Sequence, residues 1–222
     1  MKELSVFDII GPCMIGPSSS HTAGALRIAL LAGNLVKDEV KRVTFTLYGS
    51  FSRTYRGHGT DRALVAGILG FQTEDSRIRD SFQYAEEAGI EYEFIIDKET
   101  KTAHPNTVDI VLQDRGGHTA KVRGESIGGG AAVITQINGI DVSFSGEYST
   151  IVIEQKDECG VLAYITGCLS ERQINIAFTK MFREEKGETA YTIIEADQEI
   201  PKDVVEALEE YHSIRNAVLI EV

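Results

Sequence analysis

The sequence predicts a mixed α/β domain followed by a smaller βαββαβ domain, and three observations carry that prediction. Residues 25–96 switch between helical and strand spacing of apolar side chains. Residues 91–142 are dominated by alternating strand patterns separated by glycine-bearing turns. After residue 149 a new strand–helix–strand–strand–helix–strand order begins. With 222 residues, 42 % hydrophobic and 25 % charged, the chain has the composition of a soluble globular protein and room for a real core.

Each element has a local reason. Residues 25–36 are apolar on most sides and predict a substantially buried helix. Val43, Phe45 and Leu47 alternate with Thr44, Thr46 and Tyr48, the pattern of a half-buried strand. Residues 49–59 read as a polar connection, and residues 60–69 recover helical spacing through Leu64, Val65, Ile68 and Leu69. A further helix is expected over 76–88, capped by Asp75 and stopped by Gly89. Tyr92, Phe94 and Ile96 form one strand pattern, and Val108, Ile110 and Leu112 another. The turn Asp114-Arg115-Gly116-Gly117 leads into a hairpin strand over 119–125. Asn138-Gly139 tolerates the positive φ angles of a tight hairpin turn.

The tail repeats the exercise on a smaller scale. Strands are expected over 150–154, 174–182, 189–196 and 217–222, with helices beginning near Val161 and Pro201. A charged turn is expected over 184–188, and the domain boundary is expected between 146 and 149. The order βαββαβ is the ferredoxin-like arrangement.

Charge and cysteine usage exclude several classes. The net charge is −12, divided as −4 before Ser149 (15 basic, 19 acidic) and −8 from there on (7 basic, 15 acidic). Such a chain is a poor ligand for nucleic acid or an anionic membrane, because phosphate neutralisation supplies most of that affinity. No secretory signal opens the sequence, and the best apolar run, residues 23–36, is broken by Arg27 and Asn34. Cytoplasmic residence is therefore the expectation. Cys13, Cys159 and Cys168 lack CxxC spacing and read as reduced thiols rather than a complete metal site. Cys13 is expected to be a buried structural residue.

The chemistry-bearing stretch is Gly16-Pro17-Ser18-Ser19-Ser20-His21-Thr22-Ala23-Gly24. Hydroxyls and unpaired backbone donors at a helix start suit a carboxylate or phosphate, and His21 adds a group that moves a proton near neutral pH. The same residues also make an ordinary serine-rich helix cap. His58, in Gly57-His58-Gly59-Thr60-Asp61, and His104, in His104-Pro105-Asn106, sit among small or turn-forming residues, where an imidazole is accessible. Each alone also reads as a turn histidine. Gly128-Gly129-Gly130 permits close backbone approach or mere flexibility; it lacks the context of a dinucleotide fingerprint. His118 and His212 read as solvated surface groups without a role.

Taken in order, these motifs, together with Tyr48-Gly49-Ser50 and Ser126-Ile127-Gly128-Gly129-Gly130, resemble the β portion of iron–sulfur-dependent L-serine dehydratases. The tail, residues 149–222, resembles an ACT domain, a module used to bind amino acids or to pair subunits, and the resemblance leaves open which. One departure is Ala25, where many relatives carry proline. The resemblance implies a substrate-site domain over 1–146, an L-serine substrate, and a partner α chain that ligates a [4Fe–4S] cluster, with no metal held here. It implies that Ser18, Ser19, Ser20, His21 and Thr22 hold the substrate's carboxylate and amino group. His58, beside Thr60, is then the expected acid/base, with His104 and Asn106 closing the site. The competing class is a non-catalytic regulatory module that senses an amino acid. Three histidine motifs in one domain favour the enzyme, since a sensor needs no proton-transfer groups.

Overall fold

The computed structural model describes residues 13–183 and 185–220. Contacts divide the chain between Gly139 and Ile140 into two compact units. In the first, a π-helical turn (Ser19–Ala23) runs directly into α1 (Gly24–Gly33). There follow β1 (Val40–Leu47), α2 (Gly49–Thr54), α3 (Thr60–Ile68), a 3₁₀ turn (Ser76–Asp80) and α4 (Ser81–Glu87). Strands β2 (Glu91–Ile96), β3 (Thr107–Asp114), β4 (Thr119–Gly128) and β5 (Ala131–Ile137) complete it. The strands lie in the order β2-β1-β3-β4-β5, with β1 and β2 parallel and the other neighbours antiparallel. A parallel pair needs a crossover connection, and α2, α3 and α4 supply it.

The run after Gly24 is buried on nearly every side, as its composition predicts. Ala25, Ile28, Ala29, Leu31 and Ala32 are all 0 % exposed. On one side α1 meets α3 so closely that a Cβ at Gly67 would stand 2.4 Å from the Leu26 carbonyl oxygen. Because the obstacle is backbone, no rotamer change relieves it. Gly67→Val is expected to lower stability by about 2 kcal/mol or more through overpacking. A urea midpoint equal to that of the unaltered chain would show that the two helices can part freely.

Two elements differ from the sequence expectation. The polar connection after β1 contains α2, a helix built from poor helix formers. Tertiary contacts make it: Phe51 is fully buried and the Ser50 amide donates to the Pro105 carbonyl at 2.6 Å, while within the helix the Thr54 hydroxyl donates to the Ser50 carbonyl at 2.9 Å. Glycine is required at its start, since Gly49 has φ +52° and a Cβ there would meet the Pro105 carbonyl oxygen at 2.4 Å. The expected helix over 76–88 is instead a 3₁₀ turn followed by α4. Asp75 does cap the turn, accepting from the Arg77 amide at 2.9 Å. The break falls at Ser81, whose buried hydroxyl donates to the Arg62 carbonyl at 2.9 Å and fixes the new helix against α3.

The second unit contains β6 (Ile140–Phe144), β7 (Ser149–Lys156), α5 (Val161–Glu171), β8 (Ile176–Arg183), β9 (Thr189–Ala196), α6 (Asp203–Glu209) and β10 (Ile214–Ile220). Strands β10-β7-β9-β8 form an antiparallel sheet in that order, which is the ferredoxin-like topology expected for the tail. Ile165 and Leu169 of α5 and Val204 and Leu208 of α6 close a core with Ile151, Ile153, Ile194 and Ala217. Glu184 of the expected charged turn and residues 221–222 of the expected last strand lie outside the described residues. No helix among the described residues is long and apolar enough to cross a membrane.

Cys13 corrects an expectation: it is exposed, not buried. The backbone is what anchors this segment, since the Cys13 carbonyl accepts the Thr73 hydroxyl at 2.9 Å and the Ile15 amide donates to the Thr73 carbonyl at 2.8 Å. His118 and His212 are exposed as expected, each beside a carboxylate: Asp114 at 3.1 Å and Glu158 at 3.2 Å.

Candidate active site

The site begins with a widened helical turn. Ser18 takes extended dihedrals and its hydroxyl accepts from the His21 amide at 3.2 Å, a helix cap as its residue type predicts. The Gly24 amide reaches back five residues to the Ser19 carbonyl, so the turn is π-helical. Thr22 and Ala23 are thereby buried while Ser18, Ser19, Ser20 and His21 stay half-exposed.

His21 is held from both ends. Its Nδ1 lies 3.1 Å from the Ser20 hydroxyl and 3.4 Å from that of Ser18, and its Nε2 lies 2.8 Å from the Ser50 hydroxyl. A hydroxyl donates or accepts, so either neutral tautomer is satisfied. The ring of His58 stands 4.8 Å away, centroid to centroid, tilted by 38°. Burial, and secondarily His58, lowers the His21 pKa from its ordinary 6.5.

His58 reaches this place because Gly57-His58-Gly59 joins α2 to α3. Its amide donates to the Thr54 carbonyl at 3.1 Å, and its carbonyl accepts the Thr22 hydroxyl at 2.9 Å. The latter bond ties the serine-rich turn to the glycine-rich one. His58 Nδ1 is buried and has no hydrogen-bond partner among the described residues; Thr60 Oγ1 and Ser126 Oγ share that condition. Unpaired buried polar atoms are uncommon and costly; Gln155 Oε1, Thr192 Oγ1 and Asn216 Oδ1 of the second unit share the condition, and His58 Nδ1 differs from them in being on a titratable ring beside a second imidazole. Beside His58 lies a cavity of about 790 Å³, whose lining also includes Thr22, Arg56, Asp61, Arg62, Arg79 and Phe82. Burial raises the Asp61 pKa against the pull of Arg62 and Arg56.

The structure thus brings Ser18, Ser20, His21, Thr22 and His58 together. Thr60 is fully buried. No side-chain bond anchors Ser19 among the described residues. His104 and Asn106 stand behind Ser50: Pro105 between them accepts the Ser50 amide. His104 Nδ1 accepts from the Asn106 amide at 3.2 Å, and Asn106 trades backbone and side-chain bonds with Ser126 at 3.0 and 3.5 Å. Ser50 is the site residue that sequence reasoning passed over. Its signal was the Tyr48-Gly49-Ser50 step at the end of a strand, where a glycine of positive φ re-aims the chain. Tyr48 in turn donates to Asp109 at 3.1 Å, and Arg123 holds Asp109 with two bonds of 2.6 and 2.7 Å. The cavity arginines gave no signal, because they are separated along the chain.

No group of three or more His, Cys, Asp or Glu among the described residues could hold a metal ion, and Cys13 and Cys168 belong to different units. The donor set here does not fit an iron–sulfur cluster.

The pH behaviour follows from the lowered His21 pKa. Between that value and 6.5 the unfolded chain binds more protons than the folded one, so stability falls as pH drops through and below 6.5 and is fully present above it. Imidazole NMR should show His21 titrating below 6.5, and His58→Ala should move it part of the way back, since burial remains. No upward movement would remove His58 as a cause.

Fold and site together define an α/β protein with a ferredoxin-like second unit and a candidate site lined by hydroxyls and imidazoles. The chain belongs to the serine dehydratase β-chain family, whose profile matches residues 5–137. Residues 151–216 match the ACT domain of the AHAS small-subunit type. It is 42 % identical to the L-serine dehydratase β chain of Peptoniphilus asaccharolyticus over 94 % of both chains. It is also 42 % identical to a probable L-serine dehydratase β chain of Bacillus subtilis over 96 % of both. A 75-residue stretch is 49 % identical to L-serine dehydratase 2 of Escherichia coli, covering 30 % of this chain and 16 % of that protein.

Proposed function

We propose that this chain is the β subunit of a two-chain, cytoplasmic L-serine dehydratase, which deaminates L-serine to pyruvate and ammonia with an α chain that carries a [4Fe–4S] cluster. The observation that carries the reading is the close, tilted His21–His58 pair, with a His58 Nδ1 that has no partner among the described residues, beside a cavity. Residues 1–146 serve as the substrate-site domain and 149–222 as the ACT domain, which binds an amino acid or pairs subunits. The hydroxyls of Ser18, Ser19 and Ser20 and the ring of His21 hold the carboxylate and ammonium of serine. His58 takes the α proton, and the loss of hydroxide leaves an enamine that tautomerises and hydrolyses to pyruvate and ammonia. The Thr22 hydroxyl and the Thr60 amide fix the His58 turn through the His58 and Tyr55 carbonyls, and His104 and Asn106 close the site behind Ser50.

Anaerobic co-expression with the cognate α chain, followed by a pyruvate assay with L-serine, tests this. A brown, oxygen-sensitive complex that forms pyruvate supports it. A colourless self-sufficient dimer that binds an amino acid without turnover would establish the sensor reading instead.

A further inference from the structure

The cavity beside His58 holds more than serine. At about 30 Å³ for a water-sized group, 790 Å³ accommodates on the order of 25 such groups, several times what a small amino acid fills. Its charge is also out of keeping with the chain. In a protein of net charge −12, Arg56, Arg62 and Arg79 line this one cavity against a single carboxylate, Asp61. Elsewhere in the same unit Arg42, Arg77, Arg115 and Arg123 each hold a carboxylate, whereas Arg27 and Arg53 stand singly among the described residues; what distinguishes Arg56, Arg62 and Arg79 is that they line one cavity together. The three cavity arginines form no ion pair among the described residues. Arg56 lies over the Tyr55 ring and Arg62 over that of Phe82, at 5.4 and 5.9 Å, which leaves their N–H edges available. Ile78 and Phe82 add an apolar wall.

We propose that this cavity is the socket for an acidic, apolar-flanked segment of the α chain. The inference rests on the subunit reading: whatever brings a metal to a substrate held near His58 meets the wall that His58 shares with the arginines. Carboxylates on that segment pair with Arg62 and Arg79 at the rim, and an apolar side chain covers Ile78 and Phe82. Such pairing steers association and fixes its register, and salt weakens it.

Arg79→Glu, Arg62→Glu and the double variant test the proposal, with Arg79→Lys as the conservative control. All are exposed positions, and matching thermal unfolding curves establish that the variants fold. Anaerobic binding to the α chain is measured at low and high KCl. Each reversal should weaken binding by about tenfold at low salt and flatten its salt dependence, while Arg79→Lys stays close to the unaltered chain. Unchanged α-chain affinity with a raised KM for serine would assign the arginines to substrate capture. Unchanged affinity and KM would make the cavity a solvated surface. Either result overturns the proposal. If the unaltered chain fails to bind the α chain at all, the subunit reading itself has failed.

Discussion

His58→Ala in the reconstituted two-chain enzyme is expected to lower serine turnover by about 10²–10⁴-fold, the usual worth of a positioned acid/base. The effect should fall on kcat more than on KM, because the serine-rich turn proposed to hold the substrate keeps its own contacts. Ser18 still caps the turn and Ser50 still meets His21 Nε2 at 2.8 Å without the His58 ring. The decisive measurement is exchange of the substrate α hydrogen with solvent. If exchange continues at the normal rate in the variant, His58 is not the base, and His21 becomes the candidate. The unaltered and variant chains must first show equal affinity for the α chain.

Arg123→Ala is expected to destabilise the first unit by about 1–3 kcal/mol, because it strips the buried Asp109 carboxylate of its charged partner, although the Arg123 side chain itself is 34 % exposed. Asp109 is 5 % exposed, receives both bonds of the guanidinium fork, and also accepts the Tyr48 hydroxyl. Without Arg123 that carboxylate is left with one neutral donor. Asp109→Asn with Arg123→Met, which removes both charges, should recover much of the loss, since replacing a buried pair with uncharged groups is far milder than orphaning one charge. Urea denaturation of the isolated chain measures both. A single-variant midpoint within error of the unaltered chain would show that the pair is effectively solvated.

These two predictions draw on different layers of information, and the sequence exposes those layers unequally. Periodicity and turn chemistry are local, so the buried run after Gly24, the strand patterns and the βαββαβ tail could be read directly. Asn138 and Gly139 do take positive φ, +50° and +88°, as a tight hairpin turn requires. Helix α2 could not be read, because Gly49, Ser50 and Ser52 are weak helix formers whose helix is imposed by Pro105 and the burial of Phe51. The break at Ser81 was hidden for the same reason: its cause is a carbonyl 19 residues earlier. At the site, the histidine motifs were visible as words in the chain. Their pairing was not, since the Ser50–His21 bond spans 29 residues and the Thr22–His58 bond 36. The arginine wall required Arg56, Arg62 and Arg79 to converge from two separate segments.

The tight crossing at Gly67 has a mechanical consequence. Helices α1 and α3 are pressed backbone to backbone, and each begins at one of the two imidazole-bearing turns. The nearest atoms facing Gly67 at the crossing are backbone and the Ala29 methyl, so close packing leaves the two helices little room to shift against each other there. The spacing of the two rings is thus tied to a backbone contact in the helices that follow them, not only to the bonds the rings make themselves.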